Sequence, residues 1–338
     1  MAMRFEFYTE ALDNVPKLSV DGTVDNAIHF SHWQGNETPA EVKADTSTEI
    51  ALKLVASPNK AALTKGIELV TNNHFDTDGV LSCWTVLTGE RALAYRELLI
   101  AAAEAGDFSE HSSDDGVRVS IAIQGSDQAS PNNDDGSPLA QLLAGESVDD
   151  DARAYELVLP EVEHLLTNIN DYESLWREGW ENVAAAIQSF ERGKSSVAEY
   201  SNVSLITLAP ELFDGAGFRP TKHAAPYTAI SKFAKGELFV IAIPTNGGWF
   251  YRVDYPYYSW AETVVRPRIQ RRNLTDALQL LNAKELNRDG RWQTDNREMT
   301  SAAKFLDGNT TLAASSIEPD QVAEVLSSSF TLAATSAP

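Results

Sequence analysis

Gly66-Ile67-Glu68-Leu69-Val70-Thr71-Asn72-Asn73-His74-Phe75-Asp76-Thr77-Asp78-Gly79 carries a short apolar run directly into a turn dense in metal-ligating side chains. Residues 66–71 predict a buried strand, and the apolar stretch 80–87 predicts a helix behind the turn. His74, Asp76 and Asp78 stand at alternate positions, so a tight turn can aim all three at one point, and Gly79 lets the chain swing into the helix. Two ionised carboxylates this close repel each other, which calls for a positive charge between them. A divalent cation supplies that charge, and a mixed carboxylate and imidazole set suits Mn²⁺, Fe²⁺ or Zn²⁺. In open α/β sheets ligands bind at the carboxyl ends of strands, which is where this turn falls. The plainer reading is a helix cap, in which Asp76 or Asp78 closes an Asx-type turn and nothing more.

Outward from that turn, further strands and helices alternate. Helices are expected over 49–56 and 90–105, the second stopped by Gly106. The β-branched alternation of 117–123 predicts a strand, and 125–138 reads as a polar loop. Helices follow over 147–168 and 171–192, where Tyr172, Trp176 and Trp180 make a core-facing stripe. A strand is expected over 201–208 and a short helix over 222–234. Strands over 238–243 and 249–255 flank Asn246-Gly247-Gly248, a hairpin signal. Helices over 274–286, 297–306 and 318–328 close the chain. The order of elements predicts an α/β fold, largely a parallel sheet with helices on both faces, plus an α+β C-terminal part with a β-hairpin. The expected division is an α/β domain over 1–200 carrying the motif, an α+β domain over 201–330 and a frayed tail over 331–338.

The chain has 338 residues, 43% of them hydrophobic, enough for a sizeable core in one large or two ordinary domains. Its 27 Lys+Arg against 49 Asp+Glu give a net charge of -22, whose field repels phosphate backbones and anionic membranes. Nucleic acid is therefore a poor partner, although a bound metal can invert the field locally for a small anionic substrate. Cys83 is the only cysteine, so no intrachain disulfide forms, which fits a reducing, cytoplasmic setting. The first residues do not read as a signal peptide, and no stretch approaches the roughly 18 apolar residues of a membrane span.

Residues 67–79 resemble the first motif of the DHH phosphoesterase superfamily: a strand, then His-x-Asp-x-Asp-Gly, then a helix. In that family the motif's Asp and His residues ligate a pair of Mn²⁺ or Mg²⁺ ions that activate water against a phosphate ester or anhydride. The resemblance implies ligand and catalytic roles for His74, Asp76 and Asp78, with manganese as the expected metal. The chain departs from the family in having no Asp-His-His triplet and no glycine-rich His motif in its C-terminal part. The second-motif aspartate has two candidates, Asp127 and Asp107, and Asp107 is the expected additional metal ligand.

The remaining candidates are set by loops and charge. His29 and His32 sit beside Trp33 and Asn36, and His32 is expected to contact substrate. Arg219, Lys222 and His223 form a small cationic group able to hold an anion, and His223 is also expected within a side chain's reach of Asp76, as is Asp107. His111 and His164 read as a loop and a helix-surface residue. Arg266-Pro267-Arg268-Ile269-Gln270-Arg271-Arg272 reads as a phosphate or partner contact or as a salt-bridged surface. The aromatic stretch 249–260 exceeds what a hairpin core needs, so a homodimer is expected, and light scattering reporting a monomer near 37.0 kDa would reject it. Together these readings give a metal-dependent hydrolase of small phosphorylated or anionic substrates. The alternative is a non-catalytic binding or scaffold protein that keeps the fold, and a single-strand nuclease would need a basic groove built from Arg266 to Arg272.

Overall fold

The computed structural model describes residues 3–126, 136–213, 225–295, 299–308 and 311–334. The chain divides into two compact units, the first holding described residues up to 126, then 136–180 and 260–268, the second holding the remainder.

In the first unit the elements run β1 Arg4–Phe5, β2 Lys17–Val20, β3 Ala27–Phe30, α1 Ser47–Ala56, α2 Lys60–Leu63, β4 Leu69–Thr71, α3 Thr77–Thr88, α4 Arg96–Phe108, α5 Asp114–Gln124, α6 Pro138–Ala144, α7 Asp151–Val158, α8 Val162–Thr167 and the start of α9 Glu173–Glu191. The four strands make one sheet in the order β1-β4-β2-β3, parallel throughout. Parallel neighbours ordinarily need a crossover of a dozen residues or more. Here β2 and β3 are joined by residues 21–26 alone, a reversal in which Asp21 (φ 68) and Asn26 (φ 54) both take the left-handed conformation. Asp and Asn tolerate that region better than other side chains with a Cβ. Behind the sheet α3 packs on β1, β2 and β4, and α1 packs on β3 and α3.

The stretch 117–123, expected as a strand, is instead the body of α5. Its residues are apolar on nearly every side because the helix is buried against α4, and a short apolar run does not separate a buried helix from a strand. Local chemistry chose the helix: Ser113 accepts from the Gly116 amide at 3.0 Å, and Asp114 and Asp115 occupy the first turn, where the dipole favours acids.

The second unit continues with β5 Ser196–Tyr200, β6 Val203–Thr207, α10 Tyr227–Phe233, β7 Leu238–Thr245, β8 Gly248–Asp254, α11 Thr275–Lys284, β9 Gly290–Thr294, β10 Ser301–Asp307 and α12 Pro319–Ala334. Its sheet is mixed, in the order β5-β6-β7-β8-β10-β9, and only β6 and β7 pair in parallel. The expected hairpin is β7–β8, closed by Thr245 opposite Gly248. The helix expected over 297–306 is corrected to β10, which pairs antiparallel with both β8 and β9. Ala302, Ala303 and Lys304 favour helix in isolation, but a central sheet position with both flanks paired overrides that preference. The whole is a mixed α/β fold, and no described helix is long and apolar enough to cross a membrane.

Candidate metal centre

Three parallel strands deliver polar side chains from their carboxyl ends. Asp21 follows β2, His32 follows β3, and Asn72 to Asp78 follow β4. Asp107 arrives from the last turn of α4. These residues form two overlapping groups, Asp21–His32–Asp78–Asp107 and Asp21–His74–Asp76, and within each the candidate ligand atoms lie within 4.8 Å of one another.

Asp21 belongs to both groups through different atoms. Its Oδ1 is 3.6 Å from His32 Nε2, and its Oδ2 is 2.9 Å from His74 Nε2. His32 Nε2 is also 3.0 Å from Asp107 Oδ2 and 3.9 Å from Asp78 Oδ2, while His74 Nε2 is 3.2 Å from Asp76 Oδ2. The first group is wholly buried, whereas His74 and Asp76 are half-buried. Asp21 Oδ2 and His32 Nε2 are buried, and their close ion-pair partners His74 and Asp107 do not meet them in good hydrogen-bond alignment, a shortfall that a coordinated cation would remove.

Each ligand-type side chain is held from behind. His32 Nδ1 faces the Asp45 carbonyl at 2.6 Å and His74 Nδ1 faces Asn73 Oδ1 at 3.0 Å, so both rings donate outward and turn Nε2 inward. This is the arrangement that prepares imidazole for a metal. Asp78 receives the Ser47 amide on Oδ2 and the Thr48 amide on Oδ1, each at 2.7 Å, and thus sits on the N-terminus of α1. Asp76 caps α3, its Oδ1 accepting the Gly79 amide at 2.7 Å while Oδ2 faces His74. Capping and facing the cluster are therefore not alternatives, since each oxygen does one of them.

Two glycines act through space rather than through the freedom first assigned to them. A Cβ on Gly79 would lie 2.4 Å from Asn72 Nδ2 and 2.6 Å from the Tyr155 hydroxyl. Gly106 does not stop α4, which runs on to Phe108 before Ser109 (φ 47) closes it. A Cβ there would lie 2.7 Å from Thr77 Cβ, so Gly106 lets α4 approach the motif turn closely enough for Asp107 to reach the cluster. Gly106→Ala should destabilise the fold by about 1–3 kcal/mol, the usual cost of overpacking, read as a lower urea midpoint; an unchanged midpoint would reject this account.

The charges answer one another. Burial alone would lower both histidines, but the carboxylates outweigh it. The Asp107 hydrogen bond and charge, then Asp78 and Asp21, push His32 up to about 10, and the charges of Asp76 and Asp21 push His74 up to about 12. Burial and the Asp21 charge push Asp78 up to about 7, and burial with Asp76 and Asp78 pushes Asp107 well above the carboxylate range. Burial opposes ionisation of Asp21 too, yet its pairing with His74 keeps it below the usual value.

The structure brings together His32, His74, Asp76, Asp78 and Asp107 from among the expected residues, and adds Asp21. His32 is buried in the cluster rather than displayed on a loop, between Phe108 at 5.5 Å and Trp260 at 5.0 Å. His111 and His164 stand elsewhere, beside Asp114 and Asp171. Arg219, Lys222, His223 and Asp127 lie outside the described residues. Arg266 is occupied by Asp45, Glu104 and Glu110, so at this position the basic run is a salt-bridged surface.

A family described as "Family of unknown function (DUF6687)" matches residues 1–337. Among curated proteins no sequence matches the chain. Among solved structures, that of a pGpG-specific phosphodiesterase, PggH from Vibrio cholerae, is similar with a TM-score of 0.38 and 9% identity, over 94% of this chain and 83% of that one.

Proposed function

We propose that this chain, which belongs to the DUF6687 family, is a metal-dependent hydrolase of the DHH phosphoesterase type acting on a small phosphorylated substrate. The observation that carries the reading is Asp21, one carboxylate whose two oxygens face two different imidazoles. A carboxylate shared between two ligand sets is able to serve a pair of divalent ions held close together. His32, Asp78 and Asp107 would hold one ion and His74 and Asp76 the other, with Asp21 common to both. We take manganese as the metal, with magnesium, iron or zinc as alternatives. When bound, the pair would lower the pKa of a water and neutralise the substrate's phosphate oxygens.

The protein's own contribution is to hold the donors before any ion arrives. Amides fix Asp76 and Asp78, the Asp45 carbonyl fixes His32, and Trp33, Phe108 and Trp260 line the centre and limit water. The half-buried side, with His74 and Asp76, is the face open to a substrate. Arg219, Lys222 and His223 keep the anion-holding role proposed from their sequence. A cytoplasmic setting is part of the reading, supported by the single, buried Cys83 and checked by cell fractionation.

Elemental analysis after Mn²⁺ loading should return about two ions per chain. Phosphate release from a panel of phosphomonoesters and phosphodiesters should then require the metal and fall at least about a hundredfold in Asp78→Ala, whose carboxylate is seated on two amides. Protein that binds no metal would sink the hydrolase reading and leave the scaffold one.

A further inference from the structure

His32 reaches the cluster from a loop that is walled by a stretch from far along the sequence, Trp260–Arg268, in the same compact unit. That stretch follows the His32 loop along much of its length. The Glu262 amide donates to the His32 carbonyl at 2.7 Å, Gln34 donates to the Trp260 carbonyl at 2.8 Å, and Gly35 donates to Glu262 at 3.0 Å. The Trp260 ring meets the His32 imidazole edge-on.

The second anchor is Asp45. Its carbonyl accepts from His32 Nδ1, while its carboxylate is enclosed by the amides of Val264, Val265 and Arg266 and by Arg266 Nη1 at 2.9 Å. Burial opposes ionisation of Asp45, yet those amides and the guanidinium hold its carboxyl below the usual range. The same guanidinium binds Glu110 and, at 2.6 Å, Glu104, and lies over the Phe108 ring at 4.9 Å. Glu104, Asp107 and Phe108 share the last turns of α4. Arg266 thus touches the support of His32 on one side and the helix of Asp107 on the other.

We propose that Trp260–Arg268 is a positioning element of the metal centre, in which Arg266 holds His32 and Asp107 in register for one ion. The inference rests on the metal-centre reading above. Without the guanidinium, Asp45, Glu104 and Glu110 repel one another, the Asp45 loop moves and the His32 ring loses its fixed donor. Lysine keeps the charge but not the planar fork that meets three carboxylates at once.

The test compares wild type with Arg266→Ala, Arg266→Lys and Asp45→Asn, using Zn²⁺ as the probe. Zinc affinity is read by chelator competition and the His32 ring by nitrogen-15 NMR. Zinc-loaded wild type should show His32 protonated on Nδ1 alone, with Nε2 free for the ion. Arg266→Ala should weaken the zinc held by His32 and Asp107 by about 10–100-fold, the usual range for a group behind a ligand, and mix the His32 tautomers. Arg266→Lys should restore part of the affinity, and the ion at His74 and Asp76 should change little in every variant. If Arg266→Ala does not fold by circular dichroism, Asp45→Asn carries the test, since it keeps the backbone carbonyl that faces His32 and replaces the carboxylate held by Arg266 with a neutral amide. Wild-type affinity and a single tautomer in the variants that fold would overturn the inference. Absence of zinc uptake by wild type would overturn the metal centre itself.

Discussion

Asp21→Ala should remove both ions at once, whereas Asp76→Ala should remove one. The difference follows from which oxygens each residue supplies. Asp76 spends one oxygen on the Gly79 amide and faces only His74 with the other. Asp21 faces His32 with Oδ1 and His74 with Oδ2, whereas Asp78 and Asp107 face His32 alone and Asp76 faces His74 alone. Loss of the shared carboxylate should cost more than loss of a group behind a ligand, so affinity at both positions should fall by more than about a hundredfold. Elemental analysis after dialysis should find about two ions in wild type, one in Asp76→Ala and none in Asp21→Ala. Retention of a full equivalent by Asp21→Ala would end the account of a bridged pair.

Metal uptake should release protons and strengthen with pH, and the metal-free protein should lose stability over the same range. In that protein His32 and His74 are raised to about 10 and about 12, and Asp78 to about 7, so the folded state holds protons that the unfolded chain has shed. Stability therefore falls with rising pH: for Asp78 from the ordinary carboxylate range up to about 7, and for the histidines from their ordinary value up through about 10 and about 12. A ligating imidazole or carboxylate must give up its proton, so each proton displaced multiplies the apparent affinity about tenfold per pH unit. Manganese should thus raise the melting temperature more at pH 8 than at pH 6. Calorimetry in buffers of different ionisation enthalpy should count more than one proton released per chain. Uptake independent of pH would mean that the imidazoles are not ligands.

The motif turn was readable in sequence because its members are neighbours. His74, Asp76 and Asp78 need only a strand, a turn and a helix to converge, and the hairpin at Asn246-Gly247 was legible for the same reason. Asp21 was not, because Asp21-Gly22 after the short alternating stretch Lys17-Leu18-Ser19-Val20 has the form of an ordinary turn. Its approach to His74 depends on β2 pairing with β4 across a gap that local pattern does not encode. His32 was noticed but assigned to an open loop, since nothing local announces that Phe108 and Trp260 bury it. The α5 and β10 stretches failed differently. There the local preference was weak and the tertiary environment decided, by burial against α4 in one case and by two paired flanks in the other.

The wall contributed by Trp260–Arg268 also bears on the order in which the molecule can be assembled. Every strand of the parallel sheet lies before residue 72, so that sheet and its helices can form early during synthesis. His32 nevertheless stays uncovered until the ribosome has delivered Trp260 and Arg266, and closing so long a loop is slow relative to local contacts. A fragment cut after the first half of α9 would hold all six acidic and imidazole side chains of the cluster yet lack this wall. Dissection of the protein into units should therefore supply residues 260–268 in trans or by permutation, because sequence order and structural order differ here.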